Sequence, residues 1–133
     1  MASIHREVVI DARPEAVWDA LRDVGAIHRR LAPGFVTDVQ LEDDARVVTF
    51  GNGLVARELI VDVNDETRRL VWSAVGGRMT HHNASAQVFA AGDGQSRFVW
   101  IADLLPHELA PAITGMIDQG LAVIKRTLEQ TSG

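Results

Sequence analysis

The stretch THHNASAQ, residues 80–87, sets two imidazoles side by side at His81 and His82. Imidazole is both the commonest metal ligand and the side chain that titrates closest to neutral pH, so the pair raises two chemistries, metal binding and proton transfer. A strand sends successive side chains to opposite faces, and on a strand His81 and His82 cannot hold one ion together. The remaining His5, His28 and His107 are scattered, there is no cysteine, and no HExxH or His-x-His pattern occurs, so no metal site is expected. Proton transfer stays open. Glu58 and Asp103 are the carboxylates to follow, because burial in an apolar cavity would raise their pKa and equip them, with His82, as candidate catalytic acids or bases. The plainer alternative pairs Glu58 with a basic neighbour such as Arg78 at a pocket mouth and leaves Asp103 in water near a strand end. Arg57, one residue from Glu58, should face solvent. Nucleophilic, phosphoryl and hydride transfer lack their signatures: GNG at 51–53 and GDG at 92–94 read as turns, and GxSxG is absent. No cofactor is expected.

The elements that must position these groups follow from hydrophobic period and turn residues. IHREVVID, from Ile4 to Asp11, is a β-branched strand that stops at Ala12-Arg13-Pro14, where proline opens a helix. In the next segment Val17, Leu21 and Val24 recur at helical spacing and Gly25 interrupts, which predicts two short helices. Six further strands are predicted at roughly 35–42, 45–50, 54–63, 69–75, 79–91 and 96–105, separated by Asp, Asn and Gly turns. Their short connections imply antiparallel neighbours. From His107 to Gln130, Ile113, Met116, Ile117, Leu121, Ile124 and Leu128 form one apolar stripe on a long final helix. The fold class is α+β, a curved antiparallel sheet closed over that helix.

Composition narrows the partners. With 133 residues of which 47% are hydrophobic, the chain has the size of one domain, 1–133, with a core of its own. A net charge of -5 disfavours nucleic acid, whose phosphates are held by basic side chains. No apolar run is long enough for stable membrane insertion and the N-terminus lacks a leader pattern, so a cytoplasmic location is expected.

VVIDARPEAVWDAL, ARELIVDVNDETRRLVWSAVGG and NASAQVFAAGDGQSRFVWIADLLP, in this order before the last helix, resemble the START-related helix-grip superfamily, SRPBCC, and within it the polyketide cyclase/dehydrase and lipid-transport branch. The resemblance spans nearly the whole chain. It implies a seven-stranded sheet gripping the C-terminal helix around an apolar cavity, which binds a small hydrophobic molecule such as a lipid, an aromatic or a polyketide-like compound. A more distant similarity to plant hormone receptors of this fold, whose two mouth loops match GNGLVARE and GGRMTHHNASA, implies that Glu58, Trp72, Ala74, Ala84 and Ala86 face inward and that the helix presents Met116, Gly120 and Ile124. The receptors' interior lysine has no secure match, Arg29 and Arg30 being the only candidates, which argues against a carboxylate ligand.

If Ala84 and Ala86 face the cavity, strand alternation sends His82 inward and His81 outward. A four-residue turn at 92–95 would pair Ala91 with Ser96 and bring Val99 opposite Val88, Ile101 opposite Ala86 and Asp103 opposite Ala84. Val99 and Ile101 would then join the ligand-binding lining. The same register leaves Phe89, Phe98 and Trp100 on the outer face, an aromatic patch that implies either a register slipped by one residue or a partner such as a second copy in a homodimer. Trp18 reads as core and Trp72 as a ligand contact. Gly120 in mid-helix costs about 1 kcal/mol relative to alanine, so space is needed there, either as a void for a ligand or for close packing of helix on sheet. A pocket of roughly 300–1,000 Å³ that binds or transports a ligand is the leading expectation. A cyclase or dehydratase using Glu58, His82 and Asp103 is the alternative.

Overall fold

In the computed structural model, which describes residues 2–132, a single seven-stranded sheet carries two helices. The strands are β1 (Ala2–Ile10), β2 (Val36–Leu41), β3 (Ala45–Phe50), β4 (Val55–Asn64), β5 (Arg69–Val75), β6 (His81–Ala90) and β7 (Ser96–Leu105). Helix α1 (Pro14–Arg22) follows β1, and α2 (Ala110–Ser132) closes the chain after a 3-10 turn at His107–Leu109. The second predicted short helix is a five-residue π-helical turn, Ile27–Leu31.

The strand order is β1-β7-β6-β5-β4-β3-β2, antiparallel throughout. The first two strands therefore lie on opposite edges, and the segment holding α1 and the π turn crosses between them. One-residue register shifts between Val36 and Asp38 and between Ile60 and Asp62 bend β2 and β4. The curved inner face meets Ile117, Leu121, Ile124 and Leu128 of α2, all buried. The stripe read from the sequence is the gripped face of the helix. Pro14 starts α1, whose Val17, Trp18, Ala20 and Leu21 are buried. Trp18 belongs to the core, and its indole N–H donates to Asp65 at 2.9 Å.

The β6–β7 register differs from the expected one by one residue. Ala90, not Ala91, pairs with Ser96, and Val88, Ala86 and Ala84 lie opposite Phe98, Trp100 and Ala102. The turn holds five residues, 91–95, closed by the Ala91 N–H donating to the Gln95 carbonyl. Gly92 and Gly94, at φ of 129° and 68°, supply backbone that other residues rarely adopt. One extra turn residue reverses every side chain of β7. Phe98, Trp100 and Ala102 face inward, while Val99, Ile101 and Asp103 face outward. Neither Val99 nor Ile101 can line the cavity, and the aromatic outer patch that called for a second copy does not exist. Phe98 is 1% exposed, and Phe89 alone of the three stays outside, covered by the Arg97 guanidinium 4.7 Å from its ring centre.

Candidate functional site

The strand rows build the site. In β3, Arg46, Val48 and Phe50 share the inner face, and cross-strand pairing sets Glu58 beside Arg46 on one side and Ala74 on the other. In the neighbouring row Trp72 lies opposite Ile60 and Ala84. These residues and α2 enclose two adjoining chambers of about 70 and 210 Å³. Phe35, Phe50, Glu58, Trp72 and Trp100 border both, so they form the neck between them. The smaller chamber runs inward to Ala86, Phe98 and Ile124. The larger one extends past Ala74, His82 and Ala102 to Met116. Its mouth lies between the β3–β4 turn, the 76–79 loop and the start of α2, where Leu54, Val55 and Val75 are exposed. Both chambers fall below the expected size range.

Most of the residues expected at the site meet here: Glu58, Trp72, Ala74, His82, Ala86, Met116 and Ile124 line the chambers. Ala84 is buried on the inner face without bordering either chamber. Gly120 makes room for protein, not ligand. A Cβ there would stand 3.0 Å from ring carbons of both Phe35 and Trp100, so the missing side chain is replaced by two aromatic rings. For Gly120→Ala, the helix gain of about 1 kcal/mol is opposed by displacement of those rings, which costs about 1–3 kcal/mol. Thermal denaturation should show no stabilisation, and the indole signal of Trp100 should move. Asp103 lines neither of the chambers that Glu58 and His82 border. It is exposed on the outer face and accepts a hydrogen bond from the Ser3 hydroxyl.

Arg46 is the residue that sequence reading missed. Only 4% exposed, it donates from Nε to Oε1 of Glu58 at 2.9 Å and from Nη1 to the Val24 carbonyl at 3.3 Å. Its guanidinium stands 5.6 Å from the Trp72 ring centre, close enough for attraction to the aromatic face. Glu58, 8% exposed, therefore pairs with Arg46 and not with Arg78. Loss of water pushes the Glu58 pKa up, and the neighbouring Arg46 charge and hydrogen bond oppose that rise. Arg57 points away and pairs with Glu42 at the surface, while Arg30 is held by Asp19 and Asp23. The interior cation is Arg46, and a carboxylate already neutralises it.

His82 occupies a break in the sheet. Ladder pairing between β5 and β6 ends at Trp72 and Ala84. Beyond it the Ala74 N–H donates to Nδ1 of His82 at 2.9 Å, and the Ser73 hydroxyl donates to the His82 carbonyl. With Nδ1 acting as an acceptor, the neutral ring carries its proton on Nε2 and offers the chamber a donor. Burial lowers the His82 pKa, the His81 charge lowers it further, and Asp103 opposes both. The unfolded chain thus takes up a proton that folded His82 resists, and stability falls as pH drops below the ordinary histidine value near 6.5. NMR titration should place His82 below that value, and His82→Gln should flatten the acid-side loss of stability. A His82 titrating above 6.5 would contradict the Ala74 contact.

Among the described residues no cluster of three metal-ligating side chains occurs, and no helix is long and apolar enough to cross a membrane. A curved antiparallel sheet wrapped around a long C-terminal helix, with an aromatic cavity between them, defines a helix-grip protein. Residues 1–129 match the family described as polyketide cyclase / dehydrase and lipid transport, and the chain belongs to that family. Among solved structures, the protein XoxI from Bacillus cereus is similar at 18% identity and a TM-score of 0.88, with 100% of this chain and 99% of that chain covered. A START superfamily protein from Mycobacterium smegmatis is similar at 12% identity and a TM-score of 0.73, covering 98% and 96%. The di-domain ARO/CYC BexL is similar at 14% identity and a TM-score of 0.83, covering 97% of this chain and 47% of that one. These likenesses establish the fold. No curated protein matches the chain.

Proposed function

We propose that the protein binds a small, ring-containing, mostly apolar molecule in the two-chamber cavity. The observation that carries this reading is the neck, where Phe35, Phe50, Trp72 and Trp100 surround one buried ion pair. Aromatic walls with few polar groups suit a flat ligand held by ring contacts and oriented by hydrogen bonds. Size supports one or two rings: the larger chamber, at about 210 Å³, lies below the usual range for pockets that take drug-sized ligands. A long acyl chain would need the mouth loops to open. The net charge of -5 supports a small molecule over nucleic acid as the partner.

The test is thermal denaturation with a panel of mono- and bicyclic compounds. Binding raises the melting temperature with ligand concentration, and Ala74→Phe, which fills the larger chamber from its wall, should abolish the rise while the variant stays folded. A rise that survives Ala74→Phe would move the ligand elsewhere. The family description also supports an enzyme reading, a cyclase or dehydratase. In that reading Glu58 and His82 act on one chamber without Asp103, and Glu58→Gln abolishes turnover of a poly-carbonyl substrate. Binding has the better support, because Glu58 is engaged by Arg46 and His82 presents a weakly acidic N–H.

A further inference from the structure

The Arg46–Glu58 pair is incompletely satisfied. Nε and Nη1 of Arg46 and Oε1 of Glu58 have protein partners, whereas Nη2 and Oε2 have none among the described residues. Among the described residues the only sealed-off side-chain polar atom without a partner is Nδ1 of His28, so Nη2 and Oε2 are not sealed off. Both residues border the smaller chamber, the cavity from which a ligand could reach the free donor and the free acceptor.

We infer that this pair reads a neutral hydroxyl carried on an aromatic ring, so the ligand class is a hydroxyarene. The inference rests on the binding function proposed above and specifies the chemistry of that site. A hydroxyl both donates and accepts. One O–H group can donate to Oε2 and accept from Nη2, which satisfies both atoms, while its ring takes the aromatic neck. A carboxylate only accepts, and it would bring a second negative charge beside Glu58. An ammonium only donates and meets the Arg46 charge. An unsubstituted ring covers two polar groups and pairs neither, the situation in which a site built for a hydroxyl rejects the analogue lacking one.

Dissociation constants for naphthalene, 2-naphthol and 2-naphthoate on the unaltered protein at neutral pH test this directly. The inference predicts that 2-naphthol binds at least about tenfold tighter than either relative, the order of one hydrogen bond to a charged group. Equal binding of naphthalene and 2-naphthol overturns the hydroxyl readout and leaves the cavity reading standing. Tightest binding of 2-naphthoate overturns the readout in favour of an anion site. Binding of none of the three overturns the cavity reading and the readout with it. Glu58→Gln supplies an independent arm, since it keeps an acceptor for Arg46 Nε but removes the neutralising charge. In that variant, checked for its native circular dichroism, 2-naphthoate should outbind 2-naphthol; an unchanged preference would overturn the inference.

Discussion

Glu58→Leu should lower the unfolding free energy by about 3–5 kcal/mol, the usual cost of removing one member of a buried ion pair. Arg46 is 4% exposed, and a guanidinium cannot escape burial by releasing its proton. The substitution would leave a full positive charge facing Trp72 and the apolar neck, with the Val24 carbonyl as its remaining protein partner. Arg46→Met should cost less, because the stranded Glu58 can protonate, the direction in which burial already pushes it. The double variant Arg46→Met/Glu58→Leu should recover most of the loss, since matched apolar side chains replace a buried pair with little penalty. Urea denaturation of the three variants measures this. A Glu58→Leu loss below about 1 kcal/mol would place the pair in a watery setting. The pH dependence has the opposite sign from His82: the unfolded chain releases the Glu58 proton first as pH rises through the ordinary carboxylate range. This group's contribution to stability is present in acid and lost as pH rises through its raised folded value.

The second large effect tests the β6–β7 register. Phe98→Ala should cost about 3–5 kcal/mol, as for other buried phenylalanines, because Phe98 is 1% exposed and walls the smaller chamber. Ile101→Ala, on the half-exposed outer face, should cost much less. A one-residue slip would invert that order, so denaturation of these two variants decides between the registers.

The element order was legible because each strand ended in a turn signal and the final helix carried an unbroken apolar stripe. His82 was placed on the inner face by simple alternation from Ala84 and Ala86. The same alternation misplaced Val99 and Ile101, since it needed the number of residues in the 91–95 turn. GDG permits several turn lengths, and burial of Phe98 and Trp100 favours the longer one. Arg46 was missed although its signal was present: Val48 and Phe50 alternate as an inner face in β3, and stepping back two residues reaches Arg46. A basic residue reads as solvated until its partner is known, and Glu58 lies on the next strand. The role of Gly120 was ambiguous for a related reason, because a missing side chain looks the same whether ligand or Phe35 and Trp100 take the space.

A ring-containing ligand in the cavity must lie against Trp72 and Trp100, whose rings meet edge to face with centres 5.9 Å apart. The most direct measurement is the indole N–H region of a proton–nitrogen correlation spectrum during titration with 2-naphthol. The chain has 3 tryptophans, and Trp18, tied to Asp65 outside the cavity, is an internal reference. The Trp72 and Trp100 signals should shift and saturate together while Trp18 stays fixed. Saturable binding that moves Trp18 alone, or none of the three, would contradict it.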